Sequence, residues 1–210
     1  MEDNIMLSNL NIIDFLKKTA SSNPVPGGGS IAALSAAAAS SLLEMVANLT
    51  IGKKDYAQVE EEMKAISKKA SIYRDKLVQD IDKDSDAYKQ VIAAFKLPKG
   101  TKKEVKCRKE AIQDGLKHAA LVPLSVAKDA CKLIDLAGKT VTKGNKNAVT
   151  DGLVAALMAR SSALSALYNV KINLSSIKDS SFVYEVSKQI KHLENEIERK
   201  EKEVLSKVDL

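Results

Sequence analysis

One carboxylate on an otherwise apolar helical face is the first residue with the means to do chemistry. Asp84 falls in the series Met63, Ile66, Ala70, Tyr73, Leu77, Ile81, Asp84, Tyr88, Val91, Phe95. Its steps of three and four trace one buried stripe of a long helix. Withdrawn from water, a carboxylate ionises less readily, and its pKa rises towards the range useful for proton transfer. A core Asp neutralised by Arg, Lys or a helix end gives the same pattern, so both readings stand. Asp82 and Asp86 fall off the stripe and are expected in water.

The second feature is Pro24-Val25-Pro26-Gly27-Gly28-Gly29-Ser30, followed by the Ala-rich run from Ile31 to Ala39. Proline directs the chain, and bare glycine lets a ligand or a neighbouring group approach the backbone. The helix that follows opens with free N–H groups and the positive end of a dipole, which suits an anionic or electron-rich ligand. Pro26, Gly27, Gly28, Gly29 and Ser30 are therefore candidate binding residues, and tight packing against a neighbouring helix is the competing use.

Further along, Arg160 sits among Leu153, Leu157 and Leu164 at helical spacing. It could meet a buried acid or a ligand carboxylate. Asn169 and Asn173 are four apart and share a face, where amides can orient a heterocycle or cap a helix end. Asn145 and Asp151 flank the start of that same helix, and capping is the simpler role for Asp151.

The elements that must position these groups read as helices throughout. Apolar residues make up 45% of the 210, aromatics only 4%, and Trp is absent. That composition suits closely packed helices and is poor material for a β-sandwich. Asn11 and Asp14 resemble a capping pair opening a helix over 11–20. A second helix is expected over 30–49, ended by Gly52, and a third over 56–95. Thr101 and Glu104 form a capping box for a fourth, running towards Leu136, which Pro123 is expected to kink or divide. A polar loop over 138–147 should precede a central helix over 148–173 that is apolar nearly all round. The last helix carries Val183, Val186, Ile190, Leu193 and Ile197 on one face. We expect one domain over 1–210, with no internal repeat.

Composition also excludes. Cys107 and Cys131 lack metal spacing and read as reduced thiols, and the two histidines, His118 and His192, sit in no metal motif, so no metal site is expected. The first 20 residues, with early acids Glu2 and Asp3, do not form a signal peptide. The stretch 31–51 is long enough to span a bilayer, but its many Ala and Ser residues make it weakly lipophilic. No membrane partner and a cytoplasmic location are expected. The net charge of +6 gathers lysines at 96–109 and 139–146. Without interleaved aromatics or a recognition motif, nucleic acid is not the expected partner. No Ser-His-Asp order, phosphate loop or dinucleotide fingerprint is present.

The residues quoted for the Gly loop, continued by Met45-Val46-Ala47-Asn48-Leu49-Thr50-Ile51-Gly52-Lys53-Lys54, resemble the signature of the formiminotetrahydrofolate cyclodeaminase and methenyltetrahydrofolate cyclohydrolase family. Asp84-Ser85-Asp86-Ala87-Tyr88 resembles its Asp-x-x-Ala-aromatic element, and Leu97-Pro98-Lys99 its Leu-Pro-Lys turn. Gly144-Asn145 with Thr150-Asp151 resembles its Gly-Asn and Ser-Asp pair, and Asn169 to Leu174 its Asn-Val-x-Ile-Asn-Leu segment. The likeness runs in order over about 9–180. Departures are Ser35, Ala36 and Ser40 where glycines are common, Thr150 for Ser, and Asp55 for Lys.

The resemblance implies an all-α fold, an elongated up-and-down bundle of long antiparallel helices that dimerises, with a folate cleft. It implies one-carbon chemistry on a tetrahydrofolate derivative, with or without a polyglutamate tail, and no cofactor beyond that substrate. Cyclodeaminase activity, which yields 5,10-methenyltetrahydrofolate and ammonia, is the first expectation. Cyclohydrolase activity, which interconverts the methenyl and 10-formyl forms, is the alternative, and a non-catalytic helical oligomer is the alternative of another class. Asp84 would be the general acid/base. Pro26, Gly27, Gly28, Gly29 and Ser30 would line the pocket, with Arg160 or the lysines near Lys99 meeting the glutamate tail. Asn145, Asp151, Asn169 and Asn173 would be further contacts.

Overall fold

Small residues decide how closely these helices pack. A computed structural model describes residues 6–208; the early acids Glu2 and Asp3 lie outside the described residues. Six α-helices follow in order: α1 (Ile12–Thr19), α2 (Gly28–Asn48), α3 (Glu60–Phe95), α4 (Lys102–Lys143), α5 (Val149–Leu174) and α6 (Ser180–Leu205). Short 3-10 turns lie at Leu7–Asn9, Lys54–Val59 and Lys146–Ala148, and no strand occurs among the described residues.

Helices α2, α3, α4 and α5 form a ring in which each packs on the next, and α6 lies outside against α4 and α5. Cross-helix hydrogen bonds fix the directions. Ser40 meets Ala70, whereas Ser30, ten residues earlier, meets Ile81, so α2 and α3 are antiparallel. Ser35 meets the Met158 carbonyl and Ser162 the Ala32 carbonyl, so α2 and α5 are antiparallel as well. The up-and-down bundle of antiparallel helices stands as expected. Ala33, Ala36, Ala39 and Ala47 of α2 are fully buried, which lets the helix axes approach at the short end of the usual range.

Local signals place most helix ends. The Asn11 side chain accepts from the Asp14 N–H, and Thr101 and Glu104 form the reciprocal capping box. Gly52, at φ 75°, takes the left-handed conformation just after α2. Three expectations change. Helix α2 starts at Gly28, so two of the three glycines are helical rather than loop. Helix α4 runs unbroken through Pro123 to Lys143, and the loop expected from Gly138 shrinks to a few residues. Helix α5 is inner but not buried all round: Val154, Leu157, Tyr168 and Ile172 are exposed.

The survival of α4 at Pro123 has a local cause. Proline has no N–H, so the Ala119 carbonyl one turn earlier loses its helical donor. The Asn173 amide of α5 supplies one at 3.0 Å, and also bonds the Asn169 carbonyl at 2.9 Å. Helices α2 and α5 are each long and apolar enough to cross a membrane by length and composition; here about half of each such window, 56% and 44%, is buried inside the bundle.

Candidate functional site

At the level of Asp84 the ring changes. Helix α2 begins there with Gly28, whereas α3 continues to Phe95 and α4 and α5 run on beside it. Past that level the bundle lacks its α2 wall. Gly27 is the N-cap residue and offers no side-chain cap, so no side chain covers the first-turn N–H groups of Gly28 and Gly29, while that of Ser30 meets Asp84. Gly28 is exposed, while Pro26, Gly29 and Ser30 are buried.

Asp84 projects from α3 onto this helix start. Its Oδ2 accepts from the Ser30 hydroxyl at 2.9 Å. A Cβ added to Gly29 would lie 2.5 Å from Asp84 Cγ and 2.7 Å from Oδ2, and closer still to Oδ1. Only glycine lets the carboxylate come this near. Burial pushes the Asp84 carboxyl above its ordinary value, and hydrogen bonds from the Ser30 side chain and backbone oppose the rise without cancelling it. Asp84 is half-buried, so it is both desolvated and reachable. Asn169 approaches from α5: a Cβ on Gly28 would lie 3.3 Å from its Nδ2. That amide nitrogen donates to the Ser165 carbonyl at 2.9 Å.

Asp84, Gly27, Gly28, Gly29, Ser30 and Asn169 thus come together, with Pro26 buried in the approach to them. Asn173 is one turn along α5, but its amide nitrogen is committed to the Ala119 carbonyl. Three expected contacts lie elsewhere in the chain. Arg160 pairs with Glu201 of α6 at 2.6 Å, nine residues before Asn169 on α5, or about 13 Å along the axis. Asn145 holds the far end of α2: its amide donates to the Leu49 carbonyl at 3.0 Å, and its N–H donates to Thr50 Oγ1 at 2.9 Å. Asp151 sits in the first turn of α5 at that same far end and is not its cap, which is Ala148. The length of α2, 21 residues or about 30 Å, separates these two from Asp84.

The stripe also misjudged neighbouring acids. Asp82 is half-buried rather than wet, because its Oδ1 accepts the Leu7 N–H at 2.6 Å. Asp80 and Asp129, which the pattern did not single out, are more buried than Asp84, at 3% and 6% exposure. They are neutralised: Lys76 bridges them at 2.9 and 2.6 Å, and Lys83 and Lys132 close the outer sides. Among the described residues Asp84 has no such cation. Spacing identifies a buried acid, but only the fold tells a paired acid from an unpaired one. Tyr88 and Phe95, expected in the stripe, are exposed beyond the end of α2. Among the described residues no three His, Cys, Asp or Glu side chains gather as a metal site would require.

An unpaired carboxyl with a raised pKa, beside free backbone donors and an amide, is equipped to move a proton at a polar, flat ligand. Residues 11–192 match the family described as formiminotransferase-cyclodeaminase. The chain belongs to that family. Within it, the chain is 40% identical over 188 residues to a methenyltetrahydrofolate cyclohydrolase of Methylorubrum extorquens, covering 90% of each protein. It is 30% identical to the formimidoyltransferase-cyclodeaminase of Sus scrofa over 93% of this chain, which spans only 36% of that longer protein. A solved formiminotetrahydrofolate cyclodeaminase from Thermotoga maritima superposes with a TM-score of 0.86 at 32% identity, covering 96% of both chains. The family's full-length fold therefore extends over this chain.

Proposed function

We propose that this chain is a folate one-carbon enzyme in which Asp84 moves the proton. The observation that carries the reading is the carboxyl of Asp84 held, with no cation, against the start of α2 by Ser30 and Gly29. In the cyclohydrolase reaction water adds to the methenyl carbon between N5 and N10. A base takes one proton of that water, an acid returns a proton to N5 as the carbon–nitrogen bond breaks, and the remaining hydroxyl proton passes to solvent as the carbonyl of the 10-formyl product forms. One carboxyl with a raised pKa can serve both steps in turn. The first turn of α2 and the Asn169 amide would orient the pterin.

We place cyclohydrolase activity first, because the likeness to the Methylorubrum extorquens cyclohydrolase is 40% identity over nine-tenths of both chains. Cyclodeaminase activity is the second reading, supported by the fold likeness to the Thermotoga maritima enzyme. There N10 attacks the formimino carbon and ammonia takes the proton as it leaves. Neither reaction changes oxidation state, and we propose that no cofactor is needed. A chelator should then leave the rate unchanged.

We also propose a cytoplasmic homodimer. Leu34 and Met45 on α2, Leu49 at its C-terminal cap, and Val154 and Leu157 on α5 are exposed apolar residues on two adjacent helices, which a second copy would cover. Sedimentation equilibrium reads this directly, and a monomer at micromolar concentration ends the dimer proposal. The exposed lysines at the α3–α4 turn begin with Lys96, about 18 Å beyond Asp84 along α3, on the side where a glutamate tail would emerge. Arg160, held by Glu201, is left out of that role.

The decisive experiment runs two assays on one preparation: loss of methenyl absorbance, and ammonia release from 5-formiminotetrahydrofolate. The wild type should be active in one or both and Asp84→Asn in neither. A wild type inactive in both refutes the catalytic reading.

A further inference from the structure

The Ser30 hydroxyl has one proton and two acceptors. Asp84 Oδ2 lies at 2.9 Å and the Ile81 carbonyl oxygen at 3.1 Å. Both are within hydrogen-bond range, yet a hydroxyl donates to only one at a time. When Asp84 is ionised, the stronger acceptor is the carboxylate, and Ser30 donates to it. When Asp84 carries a proton on Oδ2, that proton is donated to Ser30 Oγ, and the Ser30 hydrogen must turn elsewhere. The Ile81 carbonyl, one turn before Asp84 on α3, is there to receive it.

We propose that Ser30 is a positioning residue that acts through Asp84, switching its hydroxyl proton between the Asp84 carboxylate and the Ile81 carbonyl as the acid changes protonation state. The proposal rests on Asp84 being the acid/base of the folate reaction. Its content is that the carboxyl keeps one geometry in both halves of the cycle. Without a reversible partner, a buried Asp would be satisfied in one state and left without its hydrogen bond in the other.

The surroundings leave Ser30 alone in this role. Ser30 is fully buried, so water does not compete for its hydroxyl. From α2, only Ser30 bonds the carboxyl, and Gly29 presents no side chain. From α5, Asn169 stands over Gly28, its nitrogen given to Ser165. On α3 itself, Asp80 is paired with Lys76 and Lys83, Asp82 with the Leu7 N–H, and Asp86 with Lys89. No charged group of α2, α4 or α5 acts on Asp84; burial and Ser30 account for its state.

The test is Ser30→Ala. Alanine is smaller and a better helix former, so α2 persists. Titration of the Asp84 side-chain carboxyl by carbon-13 NMR needs no substrate and reads the coupling directly. In Ser30→Ala both states of Asp84 lose their bond to Ser30, but the bond to the carboxylate is the stronger, so the midpoint should move to higher pH. The limb of the kcat profile that reports ionisation should move with it. At neutral pH kcat should fall about tenfold, the worth of one lost hydrogen bond to a charged group, with KM within about twofold. A merely structural serine would move the thermal midpoint and leave both titrations in place. An Asp84 midpoint that is the same in wild type and Ser30→Ala overturns the proposal. Absence of folate turnover in the wild type would instead sink the folate reading, and the NMR titration would still decide the coupling.

Discussion

Gly29→Ala adds one methyl group at the most crowded point of the site. Its Cβ would sit 2.5 Å from Asp84 Cγ and 2.7 Å from Oδ2. Non-bonded carbon atoms settle near about 3.5 Å, so the carboxyl must retreat by roughly 1 Å or more. The cheapest way to do so is rotation of the short Asp84 side chain away from Ser30, since buried Ser30 and Ala33 on α2 and buried Ile81 and Ser85 on α3 hold the two backbones. Misplacing a reacting group by about 1 Å costs on the order of 100-fold in rate. Folding should suffer little. Alanine favours a helix over glycine by up to about 1 kcal/mol, which offsets the lost Ser30–Asp84 hydrogen bond of similar size. The expected variant is therefore folded, with a thermal midpoint close to wild type, and at least about 100-fold slower in methenyl hydrolysis. Gly28→Ala is the matched control. Its Cβ would meet Asn169 Nδ2 at 3.3 Å, a contact relieved by a few tenths of an ångström, so its rate should stay within about tenfold of wild type. Circular dichroism and steady-state kinetics on the two variants suffice. A folded Gly29→Ala with wild-type turnover would refute the placement of catalysis at Asp84.

Other outcomes follow from the same contacts. Asp84→Asn should lose at least about 100-fold in turnover, yet be no less stable than wild type at pH 7. The folded Asp84 carboxyl titrates above its unfolded value, so the native state holds more protons between the two. Wild-type stability therefore falls as pH rises from about 4 through the folded value, and urea melts of Asp84→Asn should lack that fall. Asn173→Ala should cost about 1–2 kcal/mol in wild type, because it orphans the Ala119 carbonyl, and less when combined with Pro123→Ala, which restores the helical N–H. A double-mutant cycle by urea unfolding measures that coupling, and additivity would count against the repair. Lys76→Met should destabilise by about 1–3 kcal/mol, less than a fully isolated buried pair, since Lys83 and Lys132 still face Asp80 and Asp129.

The bundle was legible because its signals are local and agree with one another. Alternation by threes and fours marks α3 and α6, and caps at Asn11, Thr101 and Gly52 mark boundaries. Where reading failed, a distant residue was responsible. Pro123 should end or bend a helix on local grounds, and it does not divide α4 because Asn173 meets the orphaned carbonyl from another helix. Nothing within a few residues of Pro123 announces that repair. Helix α5 likewise looks central from its apolar run, but one face of it stays exposed.

The site divides in the same way. Asp84, Ser30, the glycines and Asn169 were all visible as residue types, and the resemblance gathered them with Asn145, Asp151 and Arg160 into one cleft. Helix length undoes part of that grouping. Signature residues at the two ends of α2 cannot meet within the chain, because a 21-residue helix holds them about 30 Å apart. Asn145 spends its hydrogen bonds on Leu49 and Thr50 instead, tying the α4–α5 turn to α2. The same distinction explains why Asp84 rather than Asp80 or Asp129 is the acid of interest. All three interrupt apolar surroundings, but two are closed by lysine at every free oxygen. The third is held by a neutral hydroxyl that can reverse its bond. A carboxyl closed by fixed cations is stabilised in one charge state, whereas proton transfer requires access to both. The glycines beside Ser30 thus matter less as a flexible loop than as the absence of side chains at the point where this acid must lie against a helix end.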